Sequence, residues 1–178
     1  MKFAAFFRNV NLGRANCPSK AQFERAFLDA GANDASSFLV NGTLVFSAPA
    51  TQGDRVLRKA VMQLELVCGL KEPAFLRRVD HLAKLVASEP FASVDRATVY
   101  ECCATFLAPR APALPALPLR SRRGDVELRA CTEGDVFSLS YKLGNTPGSP
   151  NALLEKLTGA SATTRAWNTI VRLVARHA

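Results

Sequence analysis

The sequence of 178 residues contains few of the side chains that enzymes use most often, with two histidines, two tyrosines and one tryptophan. His177 is the penultimate residue, where chains fray, and His81 falls early on a predicted short helix. We therefore do not expect a Ser-His or Cys-His triad. No other residue forms a recognisable nucleophile or general base, so whether the protein is an enzyme stays open.

Long hydrophobic runs are also missing. No segment approaches the ~18 consecutive apolar residues of a membrane span. The run "FAAFF" after Lys2 is shorter than the ~7 to 15 residues of a signal-peptide apolar region. We therefore expect no membrane association and a cytoplasmic location.

The five cysteines are an odd number without regular spacing, which is not typical of a disulfide framework or a zinc site. Cys102 and Cys103 are adjacent, so in a strand they would point to opposite faces. We expect reduced and mostly buried thiols, no metal site and no cofactor.

Positive charge is in excess, because 23 Lys and Arg against 15 Asp and Glu give a net charge of +8. Such a charge favours anionic partners such as nucleic acid, phosphorylated metabolites or lipid headgroups. Arg outnumbers Lys sixteen to seven in a chain rich in Ala, a bias that GC-rich coding also produces. Both origins of the charge stay open.

The first half of the chain predicts the order β-α-β-β-α-β. Phe3 to Phe7 form a strand with two apolar faces, hence a central one. Ser19 and Gln22 make a capping box, and Asn41-Gly42 predicts a hairpin with a type I′ turn. A second helix starts near Thr51 or Asp54, ends at Gly69 and buries one face: Val56, Leu57, Ala60, Val61, Leu64 and Val67.

The second half repeats this order in part. After a short helix carrying Leu82, Leu85 and Val86, "ATVYECCATFL" predicts a strand. Four prolines at three-residue intervals in "APRAPALPALPL" favour a polyproline II crossover, or alternatively a ligand for a proline-reading domain. Glu133-Gly134 predicts a second hairpin, and Ser149-Pro150 predicts the start of a helix ending at Gly159.

The stretch "TTRAWNTI" predicts the start of a C-terminal amphipathic helix capped by Thr163 or Thr164. Its apolar face carries Trp167, Ile170, Val171 and Val174, and another face carries Arg165, Thr169, Arg172 and Arg176.

Several strings resemble the domain of unknown function 1697 family: "AAFFRNVNLGRANCPSKAQFERAFLDAGANDASSFLVNGTLVFSA", "SEPF" and "NALLEKLTGASATTRAWNTIVRL". The resemblance implies an α+β fold of two ferredoxin-like (RRM-like) β-α-β-β-α units with antiparallel sheets and a C-terminal amphipathic helix. It implies no reaction. We place the subdomains at 1–78 and 98–178, joined by a linker helix and loop at 79–97.

The sequence departs from the family pattern at polar positions. Asn9 stands where the family usually has Gly, Asn41 and Thr43 flank Gly42 where Ser and Asn are usual, and Ala166 replaces an Asn. The segment "GNTPGSPN" lacks the Lys that usually precedes "NALLE", so a ligand served by that Lys would bind weakly or differently.

Polar loops supply the candidate ligand-binding residues. Asn and Gly in "FRNVNLGR" either serve turn geometry or bind a ligand, because binding residues often lie on loops held by a rigid sheet. The glycines of "LGNTPGSPN" precede a helix start, which is either a plain capped turn or an anion site. The predicted site residues are Arg8, Asn9, Asn11, Arg14, Asn41, Thr43, Arg165 and Asn168.

Three functions remain as hypotheses. The first is non-catalytic binding of an anionic ligand, with single-stranded nucleic acid foremost because RRM-like sheets bind RNA. Phe6, Phe7 and Phe46 occupy roughly suitable strands for stacking on bases. The segment "NGTLVFSA", however, does not match the aromatic RNA-binding motif. The second is an enzyme or small-molecule binder for a phosphorylated or nucleotide-like substrate. The third is a structural or protein-interaction module, monomeric or dimeric through an edge strand.

Overall fold

Antiparallel sheets and five α-helices make up an α+β fold, as the sequence predicts. The structure is a computed structural model that describes residues 1–178. Two units are distinguished: the first comprises Met1–Ala83 with His177–Ala178, and the second comprises Lys84–Arg176. Each helix is too short or too polar to cross a bilayer.

The first unit contains a four-stranded sheet in the order β2-β3-β1-β4, with every neighbouring pair antiparallel. Its elements are β1 (Lys2–Phe7), α1 (Lys20–Asp29), β2 (Asp34–Leu39), β3 (Thr43–Ser47), α2 (Gly53–Cys68) and β4 (Ala74–Arg78). This is the β-α-β-β-α-β order that the sequence predicts. A further helix, α3 (Val79–Ala87), follows β4 directly.

Strand β1 is central and buried from Phe3 to Phe7, as its two apolar faces predict. On the helical side, the ring of Phe7 packs edge-on against Phe23 and Phe27, with centroids 5.0 and 6.2 Å away. Phe27 in turn lies 5.1 Å from Phe46. These aromatic contacts join α1 to the two middle strands of the sheet.

Helix α1 begins at the predicted capping box. The Ser19 backbone N–H donates to Gln22 Oε1 (2.8 Å), and the Gln22 N–H donates to Ser19 Oγ (3.2 Å). Helix α2 ends at Gly69 in the left-handed conformation, also as predicted. Its predicted buried face is too long, because Val67 is 54% exposed. The apolar stripe has turned away from the sheet at this last turn of the helix.

The first predicted hairpin forms, but its turn is not type I′. Three residues connect Leu39 to Thr43, and of these only Gly42 has a positive φ (+70°). A type I′ turn requires positive φ at both central residues. A bulge between Ser37 and Leu39 accompanies the longer connection. Glycine is needed at position 42 because a Cβ there would lie 2.6 Å from the Val10 Cβ.

The second unit contains a five-stranded antiparallel sheet in the order β11-β5-β8-β7-β6. Its elements are β5 (Glu101–Leu107), β6 (Leu119–Arg120), β7 (Val126–Thr132), β8 (Asp135–Ser140), the ribbon β9 (Lys142–Leu143) and β10 (Thr146–Pro147), α4 (Pro150–Thr158), β11 (Ala162–Ala166) and α5 (Trp167–His177). The second predicted hairpin is confirmed, with positive φ at both Glu133 and Gly134. Helix α4 begins and ends where predicted, although the Ser149 hydroxyl donates to Asn151 Oδ1 (3.0 Å) and accepts no capping hydrogen bond from a backbone N–H.

The second unit departs from the expected β-α-β-β-α order because no helix lies between β5 and β7. The proline-rich residues 108–118 fill this place without a helix, since proline removes backbone donors and blocks helical packing. Ala111, Leu114 and Leu117 pack against the core cluster that contains Leu107 and Val126. The crossover therefore contributes apolar side chains where a helix would otherwise do so.

The stretch "TTRAWNTI" is a strand followed by a helix, so the predicted threonine cap is wrong. Thr163 and Thr164 lie in β11 opposite Phe106 and Thr105, and the two hydroxyls of Thr164 and Thr105 are 2.8 Å apart. β-branched threonines fit the surface of a sheet well. Helix α5 starts at Trp167, so Arg165 does not belong to a helical face.

Glycine at position 148 provides a test of packing in the second unit. A Cβ there would lie 1.9 Å from the backbone carbonyl oxygen of Asp125. We expect Gly148→Ala to destabilise the protein by about 3 kcal/mol, because neither backbone can yield cheaply. Thermal unfolding would show this as a fall of roughly 2 to 4 °C per kcal/mol.

The matched control is Gly144→Ala, since a Cβ at that position meets no atom within 4 Å. Its φ of +61° still strains alanine, so we expect a loss of about 1 kcal/mol. Equal melting temperatures for the two variants would contradict the steric account of Gly148.

Candidate functional site

The loop after β1 is tied down at its start by one carboxylate. Arg8 Nη1 donates to Glu72 Oε2 (3.0 Å), and Asn9 Nδ2 donates to Glu72 Oε1 (3.3 Å). Asn9 has a φ of +52°, a left-handed conformation that Asn tolerates better than most residues. Arg8 and Asn9 therefore have a structural function at the point where the loop leaves the sheet.

The rest of this loop is ordered by backbone hydrogen bonds. The N–H of Leu12 donates to the Val40 carbonyl (2.7 Å), and the N–H of Gly13 donates to the Pro18 carbonyl (2.9 Å). The side chains of Asn11 and Arg14 are exposed on it. Asn11 and Arg14 are thus among the exposed polar side chains that the loop holds beside the β2–β3 hairpin.

Asn41 and Thr43 stabilise that hairpin. Thr43 Oγ1 donates to Asn41 Oδ1 (2.8 Å), and Thr43 is completely buried. A ligand at the surface cannot reach Thr43 without a change in the hairpin. Of the two residues, only the half-buried Asn41 offers any surface.

Arg165 and Asn168 belong to the second unit. Arg165 is 6% exposed, and its Nη1 donates to Thr163 Oγ1 and to the Thr164 carbonyl, both at 2.9 Å. Burial of the guanidinium lowers the pKa of Arg165 to about 10, so the group remains charged at neutral pH. Asn168 is exposed on the first turn of α5.

A groove of about 480 Å³ opens beside the ordered loop of the first unit. Its lining includes Leu12 and Gly13 of the loop, residues 19–20 at the start of α1, and residues 37–40 at the end of β2. Asn11 and Arg14 flank the two loop residues in the sequence. Neither Asn11 nor Arg14 lines the groove itself, whose lining is mostly apolar.

None of the eight residues that line this groove was among the predicted site residues, and the two that bring a cation and an aromatic ring to it are Lys20 and Phe38. The Lys20 side chain is 70% exposed, and its Nζ lies 3.9 Å from a Glu24 oxygen, at the outer limit of an ion pair. Phe38 lies at the bulge of β2, where a side chain can be redirected, and its ring contacts His177 with centroids 6.1 Å apart. In the sequence, the position of Lys20 directly after the helix cap Ser19 is the one signal that could have indicated this lysine.

Glu24 stabilises the β2 side of the groove. Its Oε1 accepts hydrogen bonds from the backbone N–H of Ser37 (2.9 Å) and from the Ser37 hydroxyl (2.7 Å). Burial raises the pKa of the Glu24 carboxyl, but the hydrogen bonds from Ser37 and the charge of Lys20 together outweigh burial and lower it. Glu24 therefore holds a negative charge beside the cation of Lys20.

The chemistry available at the groove is binding chemistry: an ammonium group, two serine hydroxyls, an aromatic ring and aliphatic side chains. Cys102, Cys103 and Cys131 are poor nucleophiles, because burial raises the pKa of Cys103 to about 12 and also raises those of Cys102 and Cys131. Two of the five cysteines are buried, fewer than predicted.

The aromatic residues considered for base stacking are inaccessible. Phe6, Phe7 and Phe46 are completely buried, so none of them can stack on a nucleotide. Any aromatic contact to a base in this unit has to come from elsewhere, and Phe38 is the aromatic residue that lines the groove.

A comparison with family models identifies the family of the chain. A family model described as "Protein of unknown function (DUF1697)" matches residues 1–137, which include the whole groove. The chain belongs to this family. The resemblance read from its motifs is thereby confirmed, and the family description assigns no activity.

A solved structure described as a conserved bacterial protein from Streptococcus pneumoniae is similar in fold. It aligns over 98% of this chain and 97% of that chain, with a TM-score of 0.64 and 13% sequence identity. At this identity the likeness concerns the fold alone. A comparison with curated proteins found no match.

The low pKa of Glu24 leads to a pH-dependent prediction. A carboxyl whose pKa is lower in the folded state stabilises the fold above its unfolded pKa, and this stability is lost as the pH falls through the folded pKa. We expect Glu24→Gln to lose about 1 kcal/mol near pH 7, because a neutral amide accepts weaker hydrogen bonds. Denaturant unfolding should show this difference in stability shrinking as the pH falls below 4.5, the ordinary pKa of a glutamate carboxyl.

The matched control is Glu65→Gln at an exposed position on α2, which should change stability by less than about 0.5 kcal/mol. If the loss of stability in Glu24→Gln stays constant down to the lowest pH at which the protein folds, the stabilisation by Glu24 is not electrostatic.

Proposed function

We propose that the protein binds an anionic ligand without catalysis, and that single-stranded nucleic acid is the foremost candidate. The observation that carries this proposal is the groove of about 480 Å³, in which the exposed cation of Lys20 and the ring of Phe38 lie beside an ordered loop. Aromatic rings that stack on bases and cations that contact phosphates are the two elements of sequence-tolerant single-strand binding.

The distribution of charge supports a ligand that carries several negative charges. The first unit has 11 Lys and Arg against 7 Asp and Glu, and the second has 12 against 8. Both units are therefore equally basic, and a polyanion is attracted to either one. Net charge attracts a polyanion to the whole surface, whereas the groove provides a defined binding site.

The predicted site residues have different functions in this proposal. Asn11 and Arg14, which are exposed on the loop beside the groove lining, contact the ligand, whereas Asn9 holds the start of the loop through Glu72. Arg8, Asn41 and Thr43 position the loop and the hairpin through the hydrogen bonds described above. Arg165 and Asn168 form a separate set in the second unit, where the exposed Asn168 is the residue available to a ligand.

The proposal includes the finer description of the fold. Residues 1–78 and 98–178 are ferredoxin-like (RRM-like) subdomains connected by residues 79–97, the second with the proline-rich segment in place of its first helix, in a cytoplasmic protein. The sheet order β2-β3-β1-β4 supports this for the first unit, and β11-β5-β8-β7 repeats the order in the second. Because such folds have many functions, the ligand is argued from the groove and not from the fold.

Binding of short labelled single-stranded oligonucleotides tests this proposal. We expect the affinity to fall with salt, and Phe38→Ala to weaken binding by about 1 to 3 kcal/mol through loss of stacking. Lys20→Ala should reduce the slope of log K against log salt by about 0.7, the effect of one phosphate contact on a single strand. Fluorescence anisotropy at several salt concentrations measures both quantities.

The matched control for Lys20 is Lys59→Ala, an exposed lysine on α2 outside the groove, which should leave the slope unchanged. Circular dichroism melts show whether Phe38→Ala remains folded. Failure of wild-type protein to bind any oligonucleotide at low salt, or equal slopes for the two lysine variants, would refute the proposed site.

The second candidate is a small phosphorylated or nucleotide-like ligand, with or without turnover. The volume of the groove favours it, because small-molecule sites commonly enclose ~300 to 1,000 Å³. A thermal-shift screen of nucleotides and sugar phosphates separates the two candidates, since a ligand at ~100 times its dissociation constant stabilises the fold by about 2.7 kcal/mol.

A further inference from the structure

A second cavity lies entirely within the second unit and shares no residue with the groove. Its volume is about 310 Å³, enough for a small metabolite. It is bounded by the end of α3, by the turn and irregular segment that follow, and by the first turns of α5. The residues important to it are Val86, Glu89, Phe91, Arg96, Trp167 and Val171. We call it the Trp167 pocket.

The floor of the Trp167 pocket is rigid and aromatic. Phe91 and Trp167 meet edge to face with centroids 5.4 Å apart, and Phe137 supports Trp167 from 5.7 Å. Phe91 and Trp167 are only 3% and 6% exposed, so their contacts fix their positions. The half-buried side chains of Val86 and Val171 extend this apolar surface.

A carboxylate stands at the rim without a protein partner. Glu89 follows α3 with a φ of +46°, in the left-handed region that glycine adopts without strain. Its backbone N–H donates to the Val86 carbonyl (3.1 Å), but its carboxylate makes no hydrogen bond or ion pair. Glycine would adopt this φ without strain, so the conformation of the turn does not explain why a glutamate is present. Strained residues of this kind concentrate at functional sites.

A guanidinium group also stands at this rim. The Arg96 Cζ lies 5.6 Å from the centroid of the Phe91 ring, which holds the cation over the aromatic floor. The neighbouring carboxylate of Asp95 instead accepts a hydrogen bond from the Ala97 N–H (3.0 Å). Arg96 forms no ion pair and has donors left for a ligand.

We propose that the Trp167 pocket binds a free α-amino acid with an apolar side chain. The ligand's carboxylate meets Arg96, its ammonium group meets Glu89, and its side chain packs on Trp167 and Val171. A phosphate dianion fits this rim less well because Glu89 repels it, and a neutral apolar molecule would leave both charges without a partner. This site is independent of the anionic ligand proposed for the first unit.

The experiment uses the fluorescence of Trp167, the single tryptophan of the chain, as a reporter within the pocket itself. The full chain is titrated with leucine, with isopentylamine, which lacks the carboxylate, and with 4-methylpentanoate, which lacks the ammonium group. We expect a saturable change with leucine at millimolar concentration. Each analogue should bind about tenfold or more weakly, as expected when one hydrogen bond to a charged group is lost.

Three variants assign the two charges. Glu89→Gly should fold at least as stably as the wild type, because glycine tolerates the φ of this residue, and should bind leucine no better than 4-methylpentanoate. Arg96→Ala should bind leucine no better than isopentylamine. The control Arg122→Ala removes an exposed charge outside the pocket and should preserve the preference for leucine.

Two results would overturn the assignment. One is the absence of a saturable fluorescence change with apolar amino acids. The other is equal affinity of the wild type for leucine and both analogues, which would indicate an apolar cavity indifferent to charge. Neither result affects the proposed oligonucleotide site, because Trp167 does not line that groove.

Discussion

The burial of Phe7 among the rings of Phe23 and Phe27 is the constraint on which the first unit depends. It fixes α1 against β1, and the backbone around it completes the sheet: Phe7 N–H donates to the Gly42 carbonyl (2.9 Å) and Arg8 N–H to the Pro73 carbonyl (3.0 Å). The strand is thus held on both sides at the residue where it ends. The loop that lines the groove begins from this fixed point, so aromatic packing fixes where the loop leaves the sheet.

The sequence predicted most of the elements whose signals are local, although the turn at Asn41-Gly42 is not the type I′ turn that this dipeptide favours. Capping by Ser19 and Gln22, the left-handed glycines at helix ends and the Glu133-Gly134 hairpin depend on a few neighbouring residues, and all of them form as expected. Prediction failed where a distant partner decides. Thr163 and Thr164 have the residue types of a helix cap, but β5 offers them a strand to pair with, and that pairing determines their conformation.

The candidate site was predictable in part for the same reason. The polar loop after β1 was evident from its Asn, Gly and Arg residues, whereas Lys20 and Phe38 became relevant only when folding placed α1 and the bulge of β2 beside that loop. Conversely, Thr43 and Arg165 look like surface residues in the sequence but are almost wholly buried. Polarity alone does not reveal whether a side chain binds a ligand or satisfies the hydrogen bonds of its own backbone.

The contact between Glu24 and Ser37 has a consequence for solubility. Strand β2 is at the edge of its sheet, and an edge strand exposes backbone N–H groups with which another chain can pair. The Glu24 carboxylate occupies the N–H of Ser37, so an approaching strand would have to displace a charged acceptor to add itself there. Helix α1 thereby blocks one of the edge positions at which a strand of another molecule could add.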